Sequence, residues 1–193
     1  SDLTVKAVFR KAGPQHQLIH YWNFNQQEDP LCVFYSLLVA NLHAELPERG
    51  NAEVTMGTGQ GFTAVNAQFN DAAGTHLRIN NPIGVILRME VPTTNFSSVI
   101  MEYETRRSGQ GAGMQIIEYS VDGVHFMEKE TIAIKDDNPE LVKIDFSEDE
   151  GVNDNPLFTV AISFGQGEGG TAGNNRFDNL SFKGIPDGDI NLP

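Results

Sequence analysis

Alternation of apolar and polar residues is the dominant pattern along this chain. In one run a single face carries Ile83, Val85, Leu87, Met89 and Val91. A period of two places such residues on the same side of a β-strand. Runs of this kind recur every 10 to 15 residues and no helix alternates with them, which indicates antiparallel pairing.

The strand-like runs differ in how many of their faces are apolar. Residues 4–9 form the first run, and residues 17–25 form a second one with apolar side chains on both faces, typical of a central strand. Asp122-Gly123 separates two later runs and predicts a hairpin with a type I′ turn, in which both central residues have positive φ.

One segment departs from the alternation. Apolar residues at 31, 34, 35, 38 and 42 follow helical spacing, Asp29 can cap a helix, and Pro30 suits its first turn. Pro47 and Gly50 would end it. We therefore expect a short helical insertion at about residues 30–45.

These elements predict an all-β fold: an antiparallel two-sheet β-sandwich of the jelly-roll type, with one short helical insertion. We expect a single domain over residues 1–184. Residues 185–193 lack a packing pattern and are predicted to be a C-terminal tail or linker.

The net charge of the chain argues against two classes of binding partner. The 193-residue chain has a net charge of −13 and a pI near 4.6, so it would repel nucleic acid and anionic lipid surfaces. Its longest apolar run, residues 31–44, is too short and too polar for membrane insertion. The single cysteine, Cys32, lies in an apolar run and is expected to be a buried small hydrophobe.

Three segments, in order along the chain, resemble secreted bacterial jelly-roll modules. HYWNFN at residues 20–25 is similar to the opening strand of laminin-G-like and concanavalin A-like domains. EYSVDGVHF at residues 118–126 resembles a hairpin of secreted bacterial β-sandwich modules, and NNRFDNLSF at residues 174–182 resembles the closing strand of carbohydrate-binding and related jelly rolls. The resemblance implies a secreted, periplasmic or cell-surface protein whose module binds glycans or anchors a larger surface protein.

The same resemblance implies a structural Ca²⁺ between the opening and closing strands. Asp178 matches the closing-strand acid, and Asn23 or Asn25 stands where many relatives have an acid. Because calcium prefers six to eight oxygen ligands, including carboxylates, the asparagines weaken the expected site.

One pair of carboxylates is the candidate catalytic set in the sequence. Glu102 and Glu104 lie two apart on one predicted strand, within the spacing that glycosidase carboxylates need, although Arg106 occupies the third position of the pattern. The leading prediction is therefore a noncatalytic carbohydrate-binding module. A structural or protein-interaction module and a glycoside hydrolase using the two glutamates remain alternatives.

A small ligand site is predicted where scarce cationic residues cluster. The chain has only 13 Lys and Arg against 26 Asp and Glu. Guanidinium and amide groups are planar and can match sugar hydroxyls. The predicted glycan-binding residues are Arg106, Arg107, Asn174, Asn175 and Arg176.

Overall fold

A computed structural model describes residues 15–26, 28–48 and 50–188, and thirteen β-strands lie within these ranges. The strands are β1 Gln17–Trp22, β2 Tyr35–Ser36, β3 Asn41–Leu46, β4 Gly50–Asn51, β5 Glu53–Thr58, β6 Thr75–Asn80, β7 Ile86–Glu90, β8 Phe96–Arg107, β9 Met114–Ser120, β10 Met127–Ala133, β11 Glu140–Asp145, β12 Thr159–Gly165 and β13 Asn174–Pro186. The strand predicted at residues 4–9 lies outside the described residues.

The strands form two antiparallel sheets. Sheet A has seven strands in the order β11-β8-β13-β1-β2, and β6 also pairs with β13 and carries β5 on its other side. Sheet B has six strands in the order β10-β9-β12-β7-β3-β4. The predicted all-β, two-sheet architecture is confirmed.

A single apolar core joins the inner faces of the sheets. Sheet A contributes Trp22, Met101 and Phe182, and sheet B contributes Met89 and Ile162. All five are shielded from solvent. Within the described ranges, no helix is long and apolar enough to cross a membrane.

A β-bulge divides strand β13 into two halves. Residues 174–177 pair with β6, and residues 180–184 pair with β1, so β6 and β1 lie end to end beside it. Between Asp178 and Ser181 the register against β8 shifts, and Asn179 has a φ of 48°. The extra residue reverses the side-chain alternation, so that Phe177 and Leu180 both face the core.

The helical insertion predicted at residues 30–45 is wrong, because no helix occurs there. After a turn at residues 30–31, β2 pairs with β1 and β3 pairs with β7. In β3, Leu42 is buried while Asn41 and His43 are exposed, which is a period of two that the helical spacing had obscured. Cys32 is exposed and not buried as expected.

The predicted hairpin joins β9 to β10, but its turn is not type I′. Gly123 has a φ of 77°, whereas Asp122 does not have a positive φ. The connection spans six residues, 121–126. The Asp122 carboxylate organises it by accepting hydrogen bonds from the backbone amides of Val124 and His125 at 2.9 and 2.8 Å.

The last strand continues past the predicted domain boundary. Ile185 pairs with Ser97 and Pro186 with Phe96, so the start of the predicted tail belongs to sheet A. Residues 189–193 lie outside the described residues.

Replacing Phe182 with Ala tests the shared core. The Phe182 ring is fully buried, and its centroid lies 6.2 and 6.4 Å from those of His20 and Trp22. We expect Phe182→Ala to lower the free energy of unfolding by about 3–5 kcal/mol, as large-to-small changes of buried aromatics do. Urea denaturation measures this, and the exposed Leu157→Ala should change stability by about 0.5 kcal/mol or less. Equal effects of the two changes would contradict the assigned core.

Candidate glycan-binding face

The outer face of sheet A carries a set of charged side chains that the strands hold in fixed register. Alternation in β8 points Glu102, Glu104 and Arg106 outward, and β13 adds Arg176 beside Arg106. Residues 59–74, here called the covering loop, connect β5 to β6 and lie over part of this face.

Three arginines form a row across adjacent strands. In the sheet register Arg176 of β13 lies opposite Arg78 of β6 on one side and Arg106 of β8 on the other. We call these residues the arginine row. Gly57 of β5 makes the row possible at its edge, because a Cβ there would overlap the Arg78 guanidinium.

The covering loop forms hydrogen bonds with two arginines of the row. The Gln60 backbone carbonyl accepts a hydrogen bond from Arg106 Nη1 at 2.7 Å, and Gln60 Oε1 accepts one from Arg176 Nη1 at 2.9 Å.

His76 lies under the same loop, where the half-buried Phe62 ring stacks on it with centroids 4.6 Å apart. Burial, together with the nearby arginines, lowers the pKa of His76 to about 4. His76 is therefore neutral near pH 7, and Nε2 can accept the hydrogen bond from Arg78 Nε at 3.1 Å.

The structure divides the five predicted glycan-binding residues between two faces. Arg106, Arg176 and Asn174 lie together, and Asn174 Oδ1 accepts a 2.7 Å hydrogen bond from Arg176 Nε. Asn175 is fully buried on the other side, where its amide bonds both the N–H and the carbonyl of Ala112.

Arg107 also points away from the row. It donates to the carbonyl of Ile134 at 2.8 Å and lies 3.6 Å from Asp136. Successive residues of a strand face opposite ways, so none of the three adjacent pairs in the predicted set could share one surface. Arg78 and Gln60 were missed because their proximity arises only from strand pairing and from the covering loop.

The covering loop is docked on the β13 bulge by a buried amide. Asn66 Nδ2 donates to the Asn179 carbonyl at 2.6 Å and to Ser181 Oγ at 3.0 Å. The Tyr21 hydroxyl donates to Asn179 Oδ1 at 2.8 Å and accepts from the Gln68 amide. The polar groups that the bulge releases from regular pairing are thus satisfied by the loop.

Two carboxyl groups lie side by side beneath this loop. Asp178 and Glu104 are opposite each other in the β13–β8 register, and each is only 3% exposed. Burial is the main cause that raises both pKa values, and it raises the pKa of Asp178 to about 8. Asp178 therefore holds a proton near neutral pH.

The residues predicted to bind calcium have other roles here. Asn23 Oδ1 accepts from the Asn25 amide at 3.2 Å, Asn25 Oδ1 from the Thr75 amide at 2.7 Å, and Asp178 Oδ1 from the Asn179 amide at 2.8 Å. Across the described part of the chain, no group of three or more His, Cys, Asp or Glu residues could hold a metal ion. Calcium at Asn23, Asn25 and Asp178 stays a prediction, which the chelator measurement below tests.

The glycosidase alternative requires that the carboxyl groups of Glu102 and Glu104 are accessible to a substrate. Glu102 forms an ion pair with Lys183 at 2.7 Å, and Glu104 accepts a 3.0 Å hydrogen bond from Thr63 of the covering loop. Both carboxyl groups are therefore engaged by partners within the protein, and Glu104 is also buried.

An aromatic patch lies at the β1–β2 end of the same sheet. Phe34 and Phe69 are 44% and 57% exposed, and Tyr35 packs on Phe69 with centroids 5.0 Å apart. Phe69 also has a φ of 56°, a left-handed conformation that is unusual for a bulky residue. We call these three residues the aromatic patch; sequence reasoning missed it because the predicted helix hid the position of Phe34. Trp22, by contrast, is buried in the core.

Three solved structures have a fold similar to that of this chain. The CBM22-1–CBM22-2 tandem domain of Paenibacillus barcinonensis Xyn10C superposes with a TM-score of 0.57 at 9% identity, covering 94% of this chain and 50% of that one. The CBM22-1–GH10 modules of Clostridium thermocellum endo-1,4-β-D-xylanase 10B, complexed with xylohexaose, give 0.54 at 8% identity and cover 91% and 30%. An exo-β-agarase gives 0.51 at 12% identity and covers 78% and 24%.

These likenesses concern the fold. The chain spans half or less of the length of these three solved structures. No protein-family model matches the sequence, and no curated protein matches it. The resemblance to jelly-roll carbohydrate-binding modules is thus confirmed at the level of the sandwich architecture.

Asp178→Asn tests the protonated carboxyl and the calcium prediction together. A raised folded-state pKa stabilises the protein fully below the unfolded value near 3.8, and this stabilisation is lost as the pH rises to about 8. Asn keeps an acceptor for the Asn179 amide and cannot ionise. We expect the variant to match the wild type near pH 4 and to melt higher at pH 8, by about 2–4 °C per kcal/mol gained.

Calorimetry between pH 4 and 8, with and without EDTA, makes the measurement. Asp145→Asn is the control of opposite sign, because the Ser147 hydrogen bonds lower the pKa of Asp145 and ionisation there stabilises the fold. If EDTA lowers the melting temperature of the wild type but not of Asp178→Asn, Asp178 binds a cation and the protonated state is wrong.

Proposed function

We propose that this domain is a noncatalytic carbohydrate-binding module that holds a glycan on the outer face of sheet A. The aromatic patch is the observation that carries the proposal. Phe34, just before β2, and Phe69, on the covering loop, are exposed, and aromatic faces provide the apolar surface on which sugar rings stack.

The backbone at the patch supports this role. A left-handed conformation costs a bulky residue of order 1–3 kcal/mol and persists where the surrounding structure enforces it, often at ligand sites. Phe69 has this conformation and yet leaves more than half of its surface in solvent. The strain therefore does not serve to bury the ring in the core.

The covering loop links the patch to polar groups that suit sugar hydroxyls. Phe69 belongs to this loop, and so does Gln60, which contacts Arg106 and Arg176 at the other end. A ligand lying along the loop would meet aromatic rings first and guanidinium and amide groups next. The proposal retains a secreted, periplasmic or cell-surface location.

A protein-interaction module is the alternative, and a groove at one end of strands β3, β7 and β12 of sheet B favours it. The groove has a volume of about 430 Å³ and is lined in part by Val39 and Leu157, which are 82% and 57% exposed. Exposed aliphatic side chains of this kind occur at protein interfaces. Its partner would be a surface protein, and the groove lies on the sheet opposite the aromatic patch.

A glycan array followed by affinity electrophoresis separates the two functions. We expect binding to a related set of glycans, weakened about tenfold by Phe69→Ala, which corresponds to about 1.4 kcal/mol. Leu141→Ala is the control, since Leu141 is 47% exposed on β11 of the same sheet and lies outside the patch. Binding that Phe69→Ala leaves intact, or a blank array, would overturn the proposed site.

A further inference from the structure

The arginine row concentrates positive charge in an unfavourable arrangement. Residues opposite each other on neighbouring antiparallel strands have Cβ atoms about 4.5–5.5 Å apart, and like charges so placed destabilise a sheet. Arg78, Arg176 and Arg106 occupy three such positions in succession. The chain has twice as many acidic as basic residues, so carboxylates were available to interleave with them.

No described carboxylate neutralises the row. The ion pairs found in the described residues involve other cations, such as Arg88 with Glu45 and Lys183 with Glu102. Arg106 and Arg176 donate to Gln60, and Arg176 also donates to Asn174, all of them neutral acceptors. The positive charge of the row therefore remains uncompensated by these contacts.

Several donors of the row remain open. Neither Nη atom of Arg78 nor Nη2 of Arg176 has an acceptor among the described residues. Every fully shielded side-chain nitrogen and oxygen in the described structure has a hydrogen-bond partner. Since these three Nη atoms have none, each of them is in contact with solvent. The guanidiniums are also held in place, Arg78 by His76 and Arg176 by Gln60.

We propose that the arginine row binds an oxyanion substituent, a carboxylate or a sulfate ester, on the glycan that the domain recognises. The inference rests on the proposed function and specifies its ligand class. Oxyanions accept paired hydrogen bonds from guanidinium groups, a geometry that ammonium groups cannot offer. The net charge of −13 disfavours a densely charged polyanion, so the ligand is a largely neutral glycan with occasional acidic sugars.

Titration with matched monosaccharides, followed by ¹⁵N NMR, tests the inference. The probes are D-galacturonate, its neutral methyl ester, D-galactose 6-sulfate and D-galactose, all at constant ionic strength. We expect saturable shifts of the Arg78 and Arg176 signals with at least one charged sugar, and at least tenfold weaker responses to the neutral pair. The charged sugar that responds identifies the substituent as a carboxylate or a sulfate ester.

Three variants locate the effect. Arg78→Gln should abolish the charge-dependent response, and Arg88→Gln, which removes an equal charge on sheet B, should preserve it. Gly57→Ala provides a second test that keeps every arginine. Its methyl group displaces the guanidinium end of a flexible side chain, so we expect weaker binding with little change in melting temperature.

The outcomes separate this inference from the proposed function. Equal responses to galacturonate and its ester, or no response to either charged sugar, would overturn the oxyanion site even if neutral glycans bind at the aromatic patch. A charge-dependent response that Arg78→Gln abolishes would uphold the oxyanion site even if Phe69→Ala has no effect on glycan binding.

Discussion

The bulge in β13 is the constraint on which the outer face of sheet A depends. This strand pairs with β6 along one half and with β1 along the other, and Asn179 takes a left-handed backbone between them. Without the extra residue, the alternation that buries Phe177 would turn Leu180 outward. The bulge therefore lets the two halves of β13, which pair with β6 and β1, contribute to the same core. It also leaves the Asn179 carbonyl outside regular pairing, where it accepts a hydrogen bond from Asn66 of the covering loop.

The same arrangement explains why the charges of this face do not cancel. Asp178 follows Arg176 by two residues on β13, and Glu104 precedes Arg106 by two on β8, so acids and arginines form neighbouring rows. The covering loop buries the acid row, and burial favours the protonated form of Asp178. A protonated carboxyl cannot neutralise a guanidinium, which leaves the arginine row free for an external anion.

The alternation of apolar and polar residues predicted those features of the fold that depend on neighbouring positions in the sequence. The alternation over residues 83–91 correctly indicated a strand whose Leu87 and Met89 face the core, and the repeated runs correctly indicated an all-β, two-sheet architecture. Sequence patterning failed at residues 30–45, where helical spacing coincided with a loop, the two-residue strand β2 and most of β3, strands whose positions are set by pairing with β1 and β7. It also treated Arg106 and Arg107 as one cluster, although adjacent strand residues face opposite ways, and it had no means to bring Arg78 beside Arg176 from 98 positions away.

The covering loop shows why a weakly patterned segment can still be ordered and useful. Its hydrogen bonds with sheet A include those donated by Asn66 and Thr63 and those accepted by Gln60, and no row of apolar side chains is buried by the described loop. Polar docking leaves the aromatic rings of the loop available, with Phe62 half-buried over His76 and Phe69 exposed at the other end. A loop docked by apolar burial would have hidden these rings in the fold. Because polar groups anchor it, apolar and cationic surfaces are both presented on one face, the combination that the proposed glycan ligand would contact.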